Sequence, residues 1–293
     1  MRVLHLDSGR EMRGGQWQVL RLVEGLAAEG IESTLLARRG GALLDAARRS
    51  GLPVEPIGWR RLAVASRTHD LVHAHDARSH TMAAIVGGKP LVVARRVAFP
   101  IRSRWKYRRA RLYIAVSDYV KGMLIEGGIA AEKIRVVPDG VPLLPLSAGG
   151  QVLTPDDAGD PMKAMPLALE AAKRAGVAIG ISRDLEEDLP AAGILVYLTR
   201  SEGLGSGVLL AMSAGVAVVA SNVGGLREII RHGENGILVE NETEAVSDAI
   251  RRLASDRAMA RRLGEAARRD VMERFTADRM VRQTIDVYRQ VIS

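Results

Sequence analysis

The sequence predicts an α/β protein built on parallel, doubly wound sheets. Three observations carry this expectation. Short apolar runs alternate with helix-length amphipathic segments through most of the chain. The runs are near-continuous Val, Ile, Leu and Ala rather than alternating apolar and polar, as strands covered on both faces are. Gly, Pro, Asn and Asp cluster where the runs stop. Repeated strand–helix–strand units of this kind form parallel sheets with helices on both faces.

In order, residues 3–6 read as the first strand, residues 7–15 as a polar glycine-containing loop, and residues 16–29 as a helix with Val19, Leu20, Val23 and Leu26 on one face. Gly30 closes it. Residues 34–37 and 54–57 read as strands on either side of a helix at 43–49. A strand at 70–74 leads to His75 and Asp76, and a short helix over 79–86 is followed by a strand at 90–94. Strands at 111–116 and 134–137 complete the first half, with Ser117 a good helix cap between them. Pro138, Gly140, Pro142 and Pro145 then break the pattern. The domains expected are residues 1–145, residues 150–275 and a C-terminal helix, residues 276–293, packing back on the first domain. The second domain opens on a weak strand at 151–154, an acidic stretch, Lys163, a helix at 165–174 and a strand at 177–181.

Composition narrows the classes. The chain of 293 residues is 47% hydrophobic and only 3% aromatic, so its cores rest on aliphatic packing. It has no cysteine, which excludes disulfides and thiolate chemistry. No apolar run approaches a membrane span, and no leader pattern opens the chain. A cytoplasmic location is expected. Residues 1–145 carry 24 of the 42 Lys and Arg but only 13 of the 34 Asp and Glu. The basic half points to phosphorylated substrates, anionic lipid heads or nucleic acid. Nucleic acid is disfavoured, since zinc-finger spacing and paired-aromatic RNA signatures are both missing.

The stretch around Glu202 is the most informative. An apolar run at 193–198 leads into Ser201-Glu202-Gly203-Leu204-Gly205, then a small-residue helix, then a second apolar run ending in Gly224-Gly225. That is a βαβ unit with a glycine-rich loop on its ligand side. Glycines admit positive φ and close ligand approach. The N–H groups of a following helix suit a diphosphate. A carboxylate at the C-terminal end of a parallel strand lies where such sheets bind ligands.

Glu202-Gly203-Leu204-Gly205 and Ala211-Met212-Ser213-Ala214-Gly215 resemble the signature of the retaining glycosyltransferases of family 4, which have the GT-B fold. Residues 115–120, residues 134–141 and Gly224-Gly225-Leu226-Arg227-Glu228 resemble further parts of it. The resemblance implies two Rossmann-like domains facing a cleft, with the second shortened because Glu202 arrives early. It implies that Glu202 contacts the donor sugar. A second family Glu, which binds the ribose, is replaced by Leu210. Gly203, Leu204, Gly205, Gly224, Gly225 and Lys163 would line the donor site, with Gly14 and Gly15 at the opposing wall. The family's His near the strand at 90–94 is replaced by Arg96. An arginine cannot act as a base, but it can hold an anion in a bidentate grip. His75 is a further catalytic candidate.

The function expected is transfer of a sugar from a UDP-, GDP- or ADP-sugar to an envelope or lipid-linked acceptor. No cofactor and no metal are expected. The alternative is a non-catalytic GT-B-like protein that binds a sugar phosphate or a partner. Arg102, Arg104, Lys106, Arg108, Arg109 and Arg111, interleaved with Trp105, Tyr107 and Tyr113, form a candidate contact with an anionic membrane at the inner face.

Overall fold

The computed structural model describes residues 1–101, 105–156 and 159–293. The chain divides into two compact units, residues 1–140 with 277–293, and residues 141–276.

In the first unit the order is β1 (Arg2–Asp7), α1 (Gly14–Ala28), β2 (Glu32–Ala37), α2 (Ala42–Arg49), β3 (Val54–Pro56), α3 (Trp59–Thr68), β4 (Leu71–Ala74), α4 (Ala77–Val86), β5 (Leu91–Arg95), β6 (Leu112–Ala115), α5 (Asp118–Glu126) and β7 (Ile134–Val136). The seven strands form one parallel sheet in the order β3-β2-β1-β4-β5-β6-β7. The chain reverses its winding between β1 and β4, so their C-terminal ends flank a switch point, where such sheets bind ligands.

The sequence reading missed α3. It buries only Leu62 and Ser66, so it has no apolar stripe to betray it. Gly14 and Gly15 are not loop residues as expected. They form the first turn of α1, and neither adopts a positive φ. A side chain at Gly15 would meet open space.

The second unit runs β8 (Gln151–Pro155), α6 (Met165–Ala175), β9 (Gly180–Ser182), α7 (Leu185–Asp188), β10 (Ala192–Tyr197), α8 (Ser206–Ser213), β11 (Ala217–Ser221), α9 (Leu226–Ile229), β12 (Ile237–Val239), α10 (Thr243–Ser255) and α11 (Arg257–Arg274). Its parallel sheet has five strands in the order β12-β11-β10-β8-β9, with the switch point between β8 and β10. The sheet is abbreviated at β9, only three residues long, and α7 is a single turn. Residues 141–150 belong to this unit because their backbone is tied to it: Val141 N–H donates to the Phe275 carbonyl, Ser147 to Ala214 and Ala148 to Pro190.

α12 (Ala277–Ile292) returns to the first unit. Met280, Val281, Ile285, Val287, Tyr288 and Val291 are buried along one face and pack with Leu22, Leu26, Leu71 and Val92. Each such aliphatic side chain contributes about 1.5–3 kcal/mol. Gly25 of α1 permits the approach, since a Cβ there would stand 2.4 Å from Val281 Cγ2.

Candidate functional site

Chemistry-bearing residues gather at the switch point of each sheet. In the second unit, β10 delivers Tyr197 and then Glu202. The segment after β8 is drawn beside the end of β10 by backbone bonds: Arg200 N–H donates to the Met162 carbonyl and Ala164 N–H to the Leu198 carbonyl. This pairing carries Lys163 to Glu202. Lys163 Nζ donates to Glu202 Oε2 at 2.9 Å, and Tyr197 OH donates to the same oxygen at 2.7 Å. Lys163 also bonds the Tyr197 hydroxyl, and its ammonium lies 4.1 Å from the Tyr197 ring centroid. Burial opposes the Lys163 charge, but Tyr197 and Glu202 more than offset it and its pKa is raised. Burial, then the Glu202 charge, raise that of Tyr197.

The glycine loops are locked to this cluster. Glu202 Oε1 accepts from Gly203 N–H at 3.1 Å, and the Glu202 carbonyl accepts from Gly225 N–H at 3.1 Å. A Cβ on Gly225 would fall 2.0 Å from the Gly203 carbonyl oxygen, so only glycine lets the two loops touch. Gly205, at φ +106°, precedes α8. Gly224 takes φ +49°. The Leu204 side chain is buried. Leu210 is buried in α8 and brings no polar group.

In the first unit, β1 and β4 pair with His5 opposite His73. His75, two residues on, projects to the same face as His73. All three are buried. His75 Nε2 lies 3.0 Å from His5 Nδ1, and His75 Nδ1 lies 3.4 Å from Arg96 Nη1. Arg96 Nε donates to Asp139 Oδ1 at 3.0 Å. Tyr288 of α12 bonds His73 Nδ1 at 2.6 Å. Burial, reinforced by neighbouring imidazoles and Arg96, holds His73 and His75 well below the usual histidine range. His5 is lowered to about 3, chiefly by burial.

Asp7, at the end of β1, is pushed up to about 6 by burial and by Asp76, against bonds from Gly9 N–H and Gln16. Asp76 caps α4 through Arg78 and Ser79 N–H and also accepts from Ser8. Arg95, beside Arg96 in sequence, turns to the Tyr107 hydroxyl and the Phe99 carbonyl.

Glu202 and Lys163 are therefore brought together, as are His75 and Arg96. Tyr197, Asp7, Asp139, His5 and Tyr288 were not singled out. Tyr197 and His5 sit inside apolar runs, where a lone polar residue was the available signal.

The basic stretch divides. Arg102 and Arg104 lie outside the described residues. Trp105 is exposed, but Tyr107 and Tyr113 are buried against each other and are not interfacial anchors. Arg108, Arg109 and Arg111 join Lys133, Arg135 and Gln290 around a cavity of about 660 Å³ at the N-terminal ends of β5 and β6, the sheet edge opposite the switch point. No described helix is long and apolar enough to cross a membrane.

Two family models account for most of the chain. Residues 12–143 match the model described as Glycosyltransferase Family 4, and residues 157–270 match that of Glycosyl transferases group 1. The chain belongs to the family 4 glycosyltransferases. A 115-residue stretch, 39% of the chain, is 33% identical to N-acetyl-alpha-D-glucosaminyl L-malate synthase of Bacillus anthracis. A 114-residue stretch, 36% of the chain, is 38% identical to alpha-maltose-1-phosphate synthase of Mycolicibacterium smegmatis. The matches span 30% of the length of each of these two relatives. Among solved structures, Anabaena HepE in complex with UDP and glucose superposes with a TM-score of 0.87 at 19% identity, covering 99% of each chain. A Rickettsia africae glycosyltransferase gives 0.83 at 19% identity, over 100% of this chain and 98% of that one. The family member described here thus has the GT-B fold, with seven and five parallel strands among the described residues of its two sheets.

Proposed function

We propose that the protein is a retaining glycosyltransferase that moves a sugar from a nucleotide-sugar to an envelope polysaccharide or lipid-linked acceptor. The observation that carries this reading is the Lys163–Glu202–Tyr197 cluster at the switch point of the second sheet, braced by Gly203 and Gly225. A cation and a carboxylate side by side suit a donor that is anionic at one end and hydroxyl-rich at the other. Lys163 takes the diphosphate and Glu202 the sugar hydroxyls. The acceptor binds at the β1/β4 edge, near His75 and Arg96. In the transfer, the acceptor oxygen bonds the anomeric carbon as the bond from that carbon to the diphosphate breaks. The acceptor proton leaves with the diphosphate. Positioning and stabilisation of the departing charge supply the rate, without a metal.

The relatives named above support the donor class, since HepE is solved with UDP and glucose. The basic rim formed by Arg108, Arg109, Arg111, Lys133 and Arg135 supports peripheral contact with an anionic membrane at the cytoplasmic face. A second reading, binding without turnover, is favoured by Leu210, which leaves no carboxylate for a ribose at that position. Thermal-shift measurements with UDP, GDP, ADP and their sugars, followed by turnover assays beside Glu202→Gln, separate the two. A donor-specific melting shift with turnover supports the enzyme. A shift without turnover supports the binder, and no shift defeats both. Turnover abolished by chelator and restored by Mg²⁺ would contradict metal independence.

A further inference from the structure

We propose that His5 and His75 are positioning residues: a one-way chain of hydrogen bonds from Arg96 through His75 to His5 fixes both imidazole tautomers and aims Arg96 at the acceptor. The inference rests on the acceptor assignment above for its purpose, but not for its geometry.

The polarity follows from what an arginine can do. A guanidinium has five N–H donors and no acceptor. Arg96 Nη1 faces His75 Nδ1 at 3.4 Å, so that nitrogen presents its lone pair. His75 is buried among His5, His73 and a guanidinium, an environment that keeps it neutral. A neutral imidazole carries one proton, which must then be on Nε2. That N–H donates to His5 Nδ1 at 3.0 Å. His5, also neutral, is left with its proton on Nε2. One cation thereby sets two tautomers.

The consequence falls on Arg96. Its Nε is held by Asp139 and its Nη1 by His75, and these two bonds fix the plane of the guanidinium. Among the described residues no hydrogen bond engages Nη2, and the side chain is 14% exposed. Nη2 is the donor left for an acceptor hydroxyl or anion. The same polarity argues against the other use of this cluster. His5, His73 and His75 each offer a ring nitrogen within 4.8 Å of the others, a spacing that invites a metal ion. The facing nitrogens of His5 and His75 share a proton instead, and the neighbour of His75 is a cation.

The test uses the full chain labelled with ¹⁵N-histidine, with signals assigned by single substitutions. Long-range proton–nitrogen spectra at pH 7 are expected to show His5 and His75 neutral and protonated on Nε2, and Arg96→Leu to release His75 into a tautomer mixture. In kinetics, His75→Leu is expected to lower kcat/KM for the acceptor by about ten- to hundredfold, the range for a hydrogen bond to a charged group. His75→Asn, whose Oδ1 stands in for Nδ1, recovers most of that loss, with donor KM unchanged in both. A His75 protonated on Nδ1 or cationic at pH 7, tight binding of one equivalent of Zn²⁺, or an Asn variant no better than Leu would overturn the inference. If no donor is turned over, that counts against the glycosyltransferase reading, and the spectra alone decide the tautomers.

Discussion

Lys163 and Glu202 are 39 residues apart in sequence and 2.9 Å apart in space. The contact exists because the segment after β8 pairs with the backbone at the end of β10, bringing the ammonium to a carboxylate that Tyr197 already holds. Each charge thus neutralises the other, and on the proposed reading a donor diphosphate would compete for the lysine.

Removing the lysine should therefore weaken donor binding more than it slows the reaction. We expect Lys163→Met to raise the KM for the donor about tenfold or more, the loss of one charge-assisted contact. We expect Glu202→Gln to lower kcat by about a hundredfold, and to lower the melting temperature as well, because Lys163 loses its counter-charge. Steady-state kinetics over donor concentration check both, and equal effects on the two parameters would contradict the division of labour.

Tyr197→Phe deletes the hydroxyl that bonds Glu202 and Lys163 and leaves the ring in place. A stability loss of about 1–2 kcal/mol is expected, read as a lower urea midpoint. An unchanged midpoint would mean that Lys163 and the Gly203 N–H hold the carboxylate without the hydroxyl.

Gly225→Ala should displace the Glu202 loop, because the added Cβ would meet the Gly203 carbonyl oxygen at 2.0 Å. Overpacking against backbone costs about 1–3 kcal/mol. Nucleotide-dependent thermal shifts should fall in parallel. Gly122→Ala in α5 is the control, with open space at its Cβ and an ordinary helical backbone.

His80 gives a pH signature. It is buried in α4 against Tyr107, with Nε2 at the Lys106 carbonyl, and burial lowers its pKa from 6.5 to about 4. Between those values the unfolded chain binds the proton and the folded chain does not. Stability therefore rises with pH across this window and is lost as pH falls from 6.5 towards 4. From pH 7 to pH 5 this residue should cost about 2 kcal/mol. His80→Gln should lack that component in urea unfolding, so parallel pH profiles for the two proteins would refute it.

Reversing the basic rim with Arg108→Glu, Arg109→Glu and Arg111→Glu should abolish sedimentation with phosphatidylglycerol vesicles. At about 1 kcal/mol per basic residue near such a surface, the three should change binding about a hundredfold or more. Binding by the unaltered protein should fade as salt is raised. Salt-insensitive sedimentation would point to another mode of attachment.

The sequence by itself determined the two doubly wound sheets, because near-continuous aliphatic runs of four to six residues, spaced by helix-length segments, have few other ways to be buried. It also marked Glu202, since a carboxylate among glycines after such a run has no packing role. Signals of that kind are local. The helix at Trp59–Thr68 went unread because it buries little, and Gly14 and Gly15 read as a loop because glycine is a poor guide to a helix start. What only the tertiary structure decided is who meets whom. Strand register sets His5 beside His73, the returning C-terminal helix brings Tyr288 to them, and Asp139 reaches Arg96 from beyond β7. Those partners are fixed by the order of strands in the sheet. The chain's own spacing does not encode that order, so the charge pairs and hydrogen-bond partners of the site were settled only once the sheets had closed.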